Sequence, residues 1–367
     1  MMKVLITGGC GFIGSNLVLD RLGRGDAVRV LDNCSRSGSE RNWRALEGCD
    51  GAGDRLELAR GDVRDAEAVT RAMSGVDAVF HLAAQVAVTT SVSDPRMDFD
   101  VNAGGTLNVL EAARAAKNPP VVLFASTNKV YGALTHQAVR LAGERHEFAA
   151  LPLGVDEQTP LDFHSPYGCS KGSADQYVMD YARIYGLRTV VLRQSCIYGP
   201  WQHGNEDQGW VAHFAIRALR GEPITIYGDG YQVRDVLFVE DLLEAYDRAL
   251  RSASEVSGSA FNIGGGPEHS VSLAECIQLL QRMLRTEVEV RYDAWRPGDQ
   301  RVYVSDVRRA RRDLGWAPSV SFEDGVRRMI DWLNADRVAS GQRGAMRAQD
   351  SGRSRQSAEG SDRSCVA

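Results

Sequence analysis

No apolar run in the 367-residue chain is long enough to span a bilayer, which removes a membrane-spanning helix from consideration. Nor is there an excess of positive charge. The formal net charge is −5, so neither nucleic acid nor an anionic membrane surface is expected as a partner. The seven cysteines (Cys10, Cys34, Cys49, Cys169, Cys196, Cys276 and Cys365) are odd in number and scattered, with no CxxC pair and no Cys/His cluster. That distribution argues for reduced thiols and against a disulfide framework or a zinc site, so no metal is expected. No signal-peptide pattern precedes the first apolar segment, Lys3-Val4-Leu5-Ile6, and the expected location is cytoplasmic. There is no internal repeat. Apolar and charged content are ordinary, and the length suits two domains or one large α/β unit with an appended lobe.

The first segment runs into Thr7-Gly8-Gly9-Cys10-Gly11-Phe12-Ile13-Gly14 and then into a helical pattern carrying Leu17, Val18 and Leu22. Glycines at Gly8, Gly11 and Gly14 between a strand and a helix put backbone N–H groups where a pyrophosphate can sit. A tight βα turn alone would also want them. The next strand pattern, Ala27 to Leu31, ends in Asp32-Asn33. A carboxylate at that strand end, about 20 residues beyond the glycines, is the expected partner of the adenosine ribose hydroxyls. Its charge repels a 2′-phosphate and favours NAD over NADP, although Arg36 nearby blurs the preference. Asp62, after Arg60-Gly61, reads as a strand end or simply as a helix cap. The strand through Leu82-Ala83-Ala84 runs into small residues that suit close approach of a cofactor or tight helix–sheet packing, and His81 reads as structural. Asn102 opens a further helix, and Val121–Phe124 is a buried strand reaching Ser126-Thr127. Strands alternating with helices predict a doubly wound parallel-sheet α/β Rossmann fold, with ligands at the carboxyl ends of the strands.

Tyr167 and Lys171 lie four apart at the start of a predicted helix, with Ser165 as cap, Pro166 in the first turn and Gly186 as the stop. Their side chains share one helix face, and an ammonium near a phenol favours the phenolate. A bare YxxxK is also what a surface Tyr beside a surface Lys looks like. Residues 132–166 read as a long loop without a sustained period. Helices around 211–220 and 273–285, with short β segments around 224–227, 260–263 and 286–292, read as a smaller C-terminal α/β lobe that binds substrate. The expected division is 1–192 for the dinucleotide-binding domain, completed by 236–264. The lobe then takes 193–235 and 265–334, and 335–367 is expected to be a disordered tail.

Together these features resemble the extended short-chain dehydrogenase/reductase superfamily that modifies nucleotide sugars. The resemblance covers roughly residues 3–334 and rests on the glycine segment, Ser126-Thr127 with Val130-Tyr131-Gly132, and Tyr167 to Lys171. Arg234-Asp235, Asn262-Ile263-Gly264-Gly265 and Arg296-Pro297-Gly298-Asp299 extend it. Ser126-Thr127-Asn128-Lys129-Val130-Tyr131-Gly132, Met97-Asp98-Phe99 and Asp207-Gln208-Gly209-Trp210 most resemble the subgroup that inverts carbon 2 of CDP-sugars, as in the paratose-to-tyvelose conversion.

The resemblance implies NAD as cofactor, a nucleotide-sugar substrate and a homo-oligomer. It implies catalysis by Thr127, Tyr167 and Lys171. Cofactor contacts are implied for Gly8, Gly11, Phe12, Ile13, Asp32, Asn33, Asp62, Val63, Leu82, Ala83, Ala84, Asn102, Tyr167 and Lys171. Substrate contacts are implied for Thr127, Asn128, Gln208, Trp210, Arg234 and Arg296, the arginines also being candidates for plain ion pairs with Asp235 and Asp299. Relatives that eliminate water carry an Asp-Glu pair directly after the threonine. Here Asn128 and Lys129 stand there, which counts against a 4,6-dehydratase. A UDP-hexose 4-epimerase stays open, with Cys196 where such enzymes commonly have Asn. A catalytically inactive NAD-binding scaffold is disfavoured because Tyr, Lys and glycines are all present.

Overall fold

The computed structural model describes residues 1–49, 53–296 and 299–339. Its first part alternates β1 (Lys3–Thr7), α1 (Phe12–Gly23), β2 (Ala27–Asp32), α2 (Ser39–Glu47), β3 (Leu56–Arg60), α3 (Ala66–Met73) and β4 (Ala78–His81). Two short helices, α4 (Val88–Ser93) and α5 (Pro95–Phe99), lead through a π-helical turn at Asp100–Gly104 into α6 (Gly105–Ala115). Next come β5 (Val121–Thr127), a 3-10 turn at Asn128–Tyr131, the hairpin β6 (Val139–Ala142) and β7 (Arg145–Phe148), then α7 (Ser165–Tyr185). Beyond it lie β8 (Thr189–Gln194), β9 (Cys196–Tyr198), α8 (Trp210–Arg220), β10 (Ile224–Tyr227), β11 (Val233–Phe238), α9 (Val239–Arg251) and β12 (Ser259–Ile263). The chain continues with β13 (Ser270–Ser272), α10 (Leu273–Leu284), β14 (Val290–Asp293), β15 (Val302–Tyr303), α11 (Arg308–Leu314) and α12 (Phe322–Ala339).

Seven strands form one sheet in the order β3-β2-β1-β4-β5-β8-β12, every pair parallel. This is the doubly wound Rossmann arrangement, with its reversal between β1 and β4. The central strands are apolar on both faces because helices cover both. Val4 and Ile6 enter one core with α1, α9 and Phe261, while Leu5 enters the other with α3, α6 and α7. A third core, around Phe214, Phe238, Leu280 and Met329, belongs to the smaller lobe, where β11 is flanked by β13, β15 and β9. The open-sheet rule puts the ligand crevice outside the carboxyl ends of β1, β4 and β5, and there Lys129, just past β5, comes within 4.0 Å of Asp299.

The structure differs from the sequence reading in several places. Residues 132–166 are not a plain loop. They contain the β6–β7 hairpin, whose alternation is too weak to read locally because most of β6 is exposed. Tertiary contacts hold it instead, with the His146 N–H donating to the Tyr231 carbonyl at 2.8 Å and the His146 ring 2.7 Å from Asp229 Oδ2. The β segment near 260–263 is the edge strand beside β8, as expected from the division in which 236–264 completes the first domain, and not one of the lobe segments. Conversely, β11 includes residues 236–238 and belongs to the lobe sheet, whereas Val307, Ala310, Leu314 and Trp316 return to pack in the first core. The tail reading also starts too early, since α12 continues to Ala339; residues 340–367 lie outside the described residues.

Candidate active site

The glycine segment fits a dinucleotide for steric reasons. Gly8 holds φ +72°, and a Cβ there would lie 2.7 Å from the Ala83 nitrogen. A Cβ on Gly14 would lie 2.2 Å from the Gly8 carbonyl oxygen. The crevice floor is thus backbone, with Gly11 as the N-cap of α1 and the Phe12 and Ile13 amides in its first turn. At the end of β2, Asp32 accepts hydrogen bonds from the Cys10 N–H (2.9 Å) and the Cys34 N–H (2.8 Å). Burial raises its carboxyl above the usual range, and those two amides oppose the rise. Asn33 Nδ2 donates to Asp62 Oδ2 at 2.8 Å, and Asp62 is held down at about 2, chiefly by its hydrogen bonds with Arg64. Val63 packs in the core beside this strand end. Leu82 and Ala83 continue β4 across Thr7, the Leu82 N–H donating to the Thr7 carbonyl at 3.1 Å, and Ala84 follows. His81 is structural, its ring held between the Thr7 and Thr106 hydroxyls at 2.7 and 3.0 Å.

Asn102 sits in the π-helical turn, and its amide points into the protein. Oδ1 accepts from the Gln85 N–H at 2.9 Å, and Nδ2 faces the Gln85 carbonyl, Asp98 and Ser170. It therefore positions Gln85, Asp98 and Ser170 around the turn.

Helix α7 starts as its sequence suggests: Ser165 Oγ accepts the Gly168 N–H at 3.2 Å, Pro166 occupies the first turn, and Gly186 closes the helix with φ +68°. Tyr167 and Lys171 are both buried, not surface residues. Tyr167 meets Thr127, the last residue of β5, through their hydroxyls. Burial pushes the Tyr167 phenol up, the Thr127 hydrogen bond lowers it, Asp98 raises it, and Arg36 at the crevice mouth lowers it. The expectation that Lys171 itself lowers the phenol is not met. Lys171 Nζ is drawn down to the Ala125 carbonyl oxygen at 2.6 Å and lies 4.1 Å from the Phe124 ring centroid. Desolvation there lowers the amine to about 7, against the pull of Asp175 and Asp98.

Across the crevice, Arg234 Nη2 donates to Asp299 Oδ1 at 2.6 Å, and Lys129 Nζ lies 4.0 Å from the same oxygen. Burial lowers the Lys129 amine, and Arg234 lowers it further. Burial alone would raise the Asp299 carboxyl, but Arg234 and Lys129 outweigh it and hold it down. Two cations thus share one carboxylate oxygen, a cluster with net positive charge. Lys129 was missed as a site residue, although it follows Thr127-Asn128 directly and is charged at a strand end. Asn128 is buried beside Thr127, whose Oγ1 lies 3.4 Å from Asn128 Oδ1. The Trp210 indole lies against the Cys196 thiol, and its Nε1 is buried without a hydrogen-bond partner among the described residues. Gln208 pairs with Asn205 in the adjoining turn. Arg296 sits at the rim, 3.9 Å from the Tyr227 ring centroid and 3.5 Å from Asp207. Pro297 and Gly298 lie outside the described residues.

Residues 5–329 match the family described as GDP-mannose 4,6 dehydratase. The chain is 46% identical over 341 residues to a CDP-paratose 2-epimerase of Salmonella typhi, covering 91% of this chain and 100% of that protein. Among solved structures it is similar to the UDP-glucose 4-epimerase of Thermus thermophilus in complex with NAD, with 36% identity and TM-score 0.75, over 91% and 99% of the two chains. A dTDP-glucose 4,6-dehydratase of Streptomyces venezuelae with NAD bound is similar too, at 31% identity and TM-score 0.78, over 92% and 98%.

Proposed function

The chain belongs to the GDP-mannose 4,6 dehydratase family of nucleotide-sugar enzymes, and from that premise we propose that it is an NAD-dependent epimerase inverting carbon 2 of a CDP-sugar. The observation carrying this reading is the pair Asn128-Lys129 beside Thr127: proton-handling groups for oxidation are present, while no carboxylate pair for expelling water stands at those positions.

The C2–H of a sugar nucleotide has no neighbouring carbonyl to acidify it, so inversion proceeds through a 2-keto sugar. Bound NAD supplies reversible hydride exchange at that carbon. Gly8, Gly11, Gly14 and the start of α1 would hold its pyrophosphate, and Asp32 its ribose. Tyr167 takes the proton of the C2 hydroxyl as the C2–H bond breaks, and Thr127 hydrogen-bonds the reacting oxygen. When the keto sugar has turned its other face, Tyr167 returns the proton as the C2–H bond re-forms. Lys171, its amine lowered to about 7, supplies positive charge beneath the site in its protonated form. Arg234, loosened from Asp299, grips the diphosphate, an exchange of one anionic partner for another. Arg234→Ala is expected to raise KM for the nucleotide sugar on the order of tenfold or more, the value of one charge-assisted hydrogen bond. Bound dinucleotide should be retained; an unchanged KM would remove Arg234 from the substrate site.

The reading is tested by NMR of the products from CDP-paratose, CDP-glucose and UDP-glucose. Inversion at C2 of a CDP-sugar is expected, with dinucleotide already present in the purified protein. Inversion at C4 of UDP-glucose would establish the 4-epimerase instead.

A further inference from the structure

Asp98 is a buried carboxylate that the mechanism above does not use. It has no exposed surface, and three donors converge on it: Ser170 Oγ at 2.5 Å, Asn102 Nδ2 at 3.1 Å and Gln85 Nε2 at 3.1 Å. A carboxyl surrounded only by donors is held as the acceptor-only carboxylate. Burial raises its pKa above the ordinary carboxylate value, and Ser170, Lys171 and Gln85 offset part of the rise. Ser170 lies on α7 between Tyr167 and Lys171, and its hydroxyl also faces the Tyr167 carbonyl at 3.2 Å. Asn102 belongs to the π-helical turn, an irregularity often found at functional sites. One carboxylate therefore ties the turn before α6 to the stretch of α7 that carries the catalytic pair.

From this placement, and resting on the assignment of Tyr167 and Lys171 to catalysis, we infer that Asp98 is a positioning residue whose fixed negative charge sets the pH window in which the Tyr–Lys pair works.

The signs follow from the surroundings. Asp98 raises the Tyr167 phenol and so disfavours the phenolate. It also raises Lys171 and so favours the ammonium. The other groups facing the pair are Asp175 on α7, bound to Arg193 of β8, Arg36 after β2 and the neutral His81 of β4. None of them acts on both side chains of the pair, as Asp98 does. Activity needs the Tyr167 phenolate and the Lys171 ammonium together, so the two groups between them set the two limbs of a bell-shaped profile. Removing the Asp98 charge lowers both pKa values, so both limbs of the pH profile move together toward acid.

The test is the pH dependence of kcat for Asp98→Asn holoenzyme, with Asp98→Ser as a second neutral variant should Asn not be accommodated. Both limbs are expected to shift down by roughly half a pH unit or more. Ser170→Ala, which removes a donor but keeps the carboxylate, should leave the limbs within a small fraction of that shift. Limbs that stay in place in the neutral variants, or that move equally in Ser170→Ala, overturn the inference. Loss of all activity in Tyr167→Phe belongs to the functional assignment, and its failure would show separately.

Discussion

Replacing Tyr167 by Phe is expected to cut kcat by roughly 100- to 10,000-fold, the span associated with losing a positioned acid–base group. The variant should fold normally and keep its dinucleotide. Only the oxygen is removed, while the ring stays packed; its 8% exposure shows how little room exists for rearrangement. Thr127 loses its partner but keeps its contacts with Asn128 and with the Lys129 N–H at 3.2 Å. The phenol starts from an unfavourable position, because burial raises its pKa and Lys171 is occupied with the Ala125 carbonyl. A positive nicotinamide ring bound beside it would add the charge that favours the phenolate. The measurement is kcat alongside the absorbance of bound dinucleotide. Turnover equal to the parent protein would remove Tyr167 from catalysis, and loss of the dinucleotide would make it a binding residue.

What the sequence made legible depended on how local each signal was. Gly8, Gly11 and Gly14, the carboxylate of Asp32 and the pairing of Pro166 with Gly186 are decided by backbone rules acting over a few residues, and each stands where those rules put it. The doubly wound parallel sheet was legible because strands alternating with helices have few alternatives. The failures were tertiary. The hairpin at 139–148 is held by Tyr231 and Asp229, more than eighty residues away. Residues 307–316 choose a layer by what they pack against, which no period in that segment records. At the site itself, helical spacing correctly put Tyr167 and Lys171 on one face, but not the direction of the amine, which a buried carbonyl of β5 decides. Asp98 was visible only as part of a resemblant segment; its role emerges from three donors supplied by three separate stretches of chain.

A second large effect is expected behind the catalytic pair rather than in it. Asp175 on α7 is fully buried and grips Arg193 of β8 through both oxygens, Nε to Oδ2 at 3.0 Å and Nη2 to Oδ1 at 2.9 Å. It also accepts from Ser126 Oγ at 2.7 Å, and Arg193 Nη1 donates to the Tyr131 hydroxyl at 3.0 Å. The Tyr131 hydroxyl in turn donates to Asn262 of β12 at 2.7 Å, so one polar chain links α7 to three strands of the sheet. Asp175→Ala leaves the Arg193 guanidinium, whose side chain is 4% exposed, without its carboxylate. Breaking a buried pair from one side costs about 3–5 kcal/mol, because the remaining charge cannot reach water. The denaturation midpoint should fall accordingly in urea, with an unchanged slope. Asp175→Leu combined with Arg193→Met removes both charges and should recover most of that loss, since the pair itself contributes little beyond an apolar replacement. If the single variant is as stable as the parent, the bidentate pair is not buried as described. If the double variant is as unstable as the single one, the polar chain through Tyr131 and Asn262, rather than the unpaired charge, carries the stability.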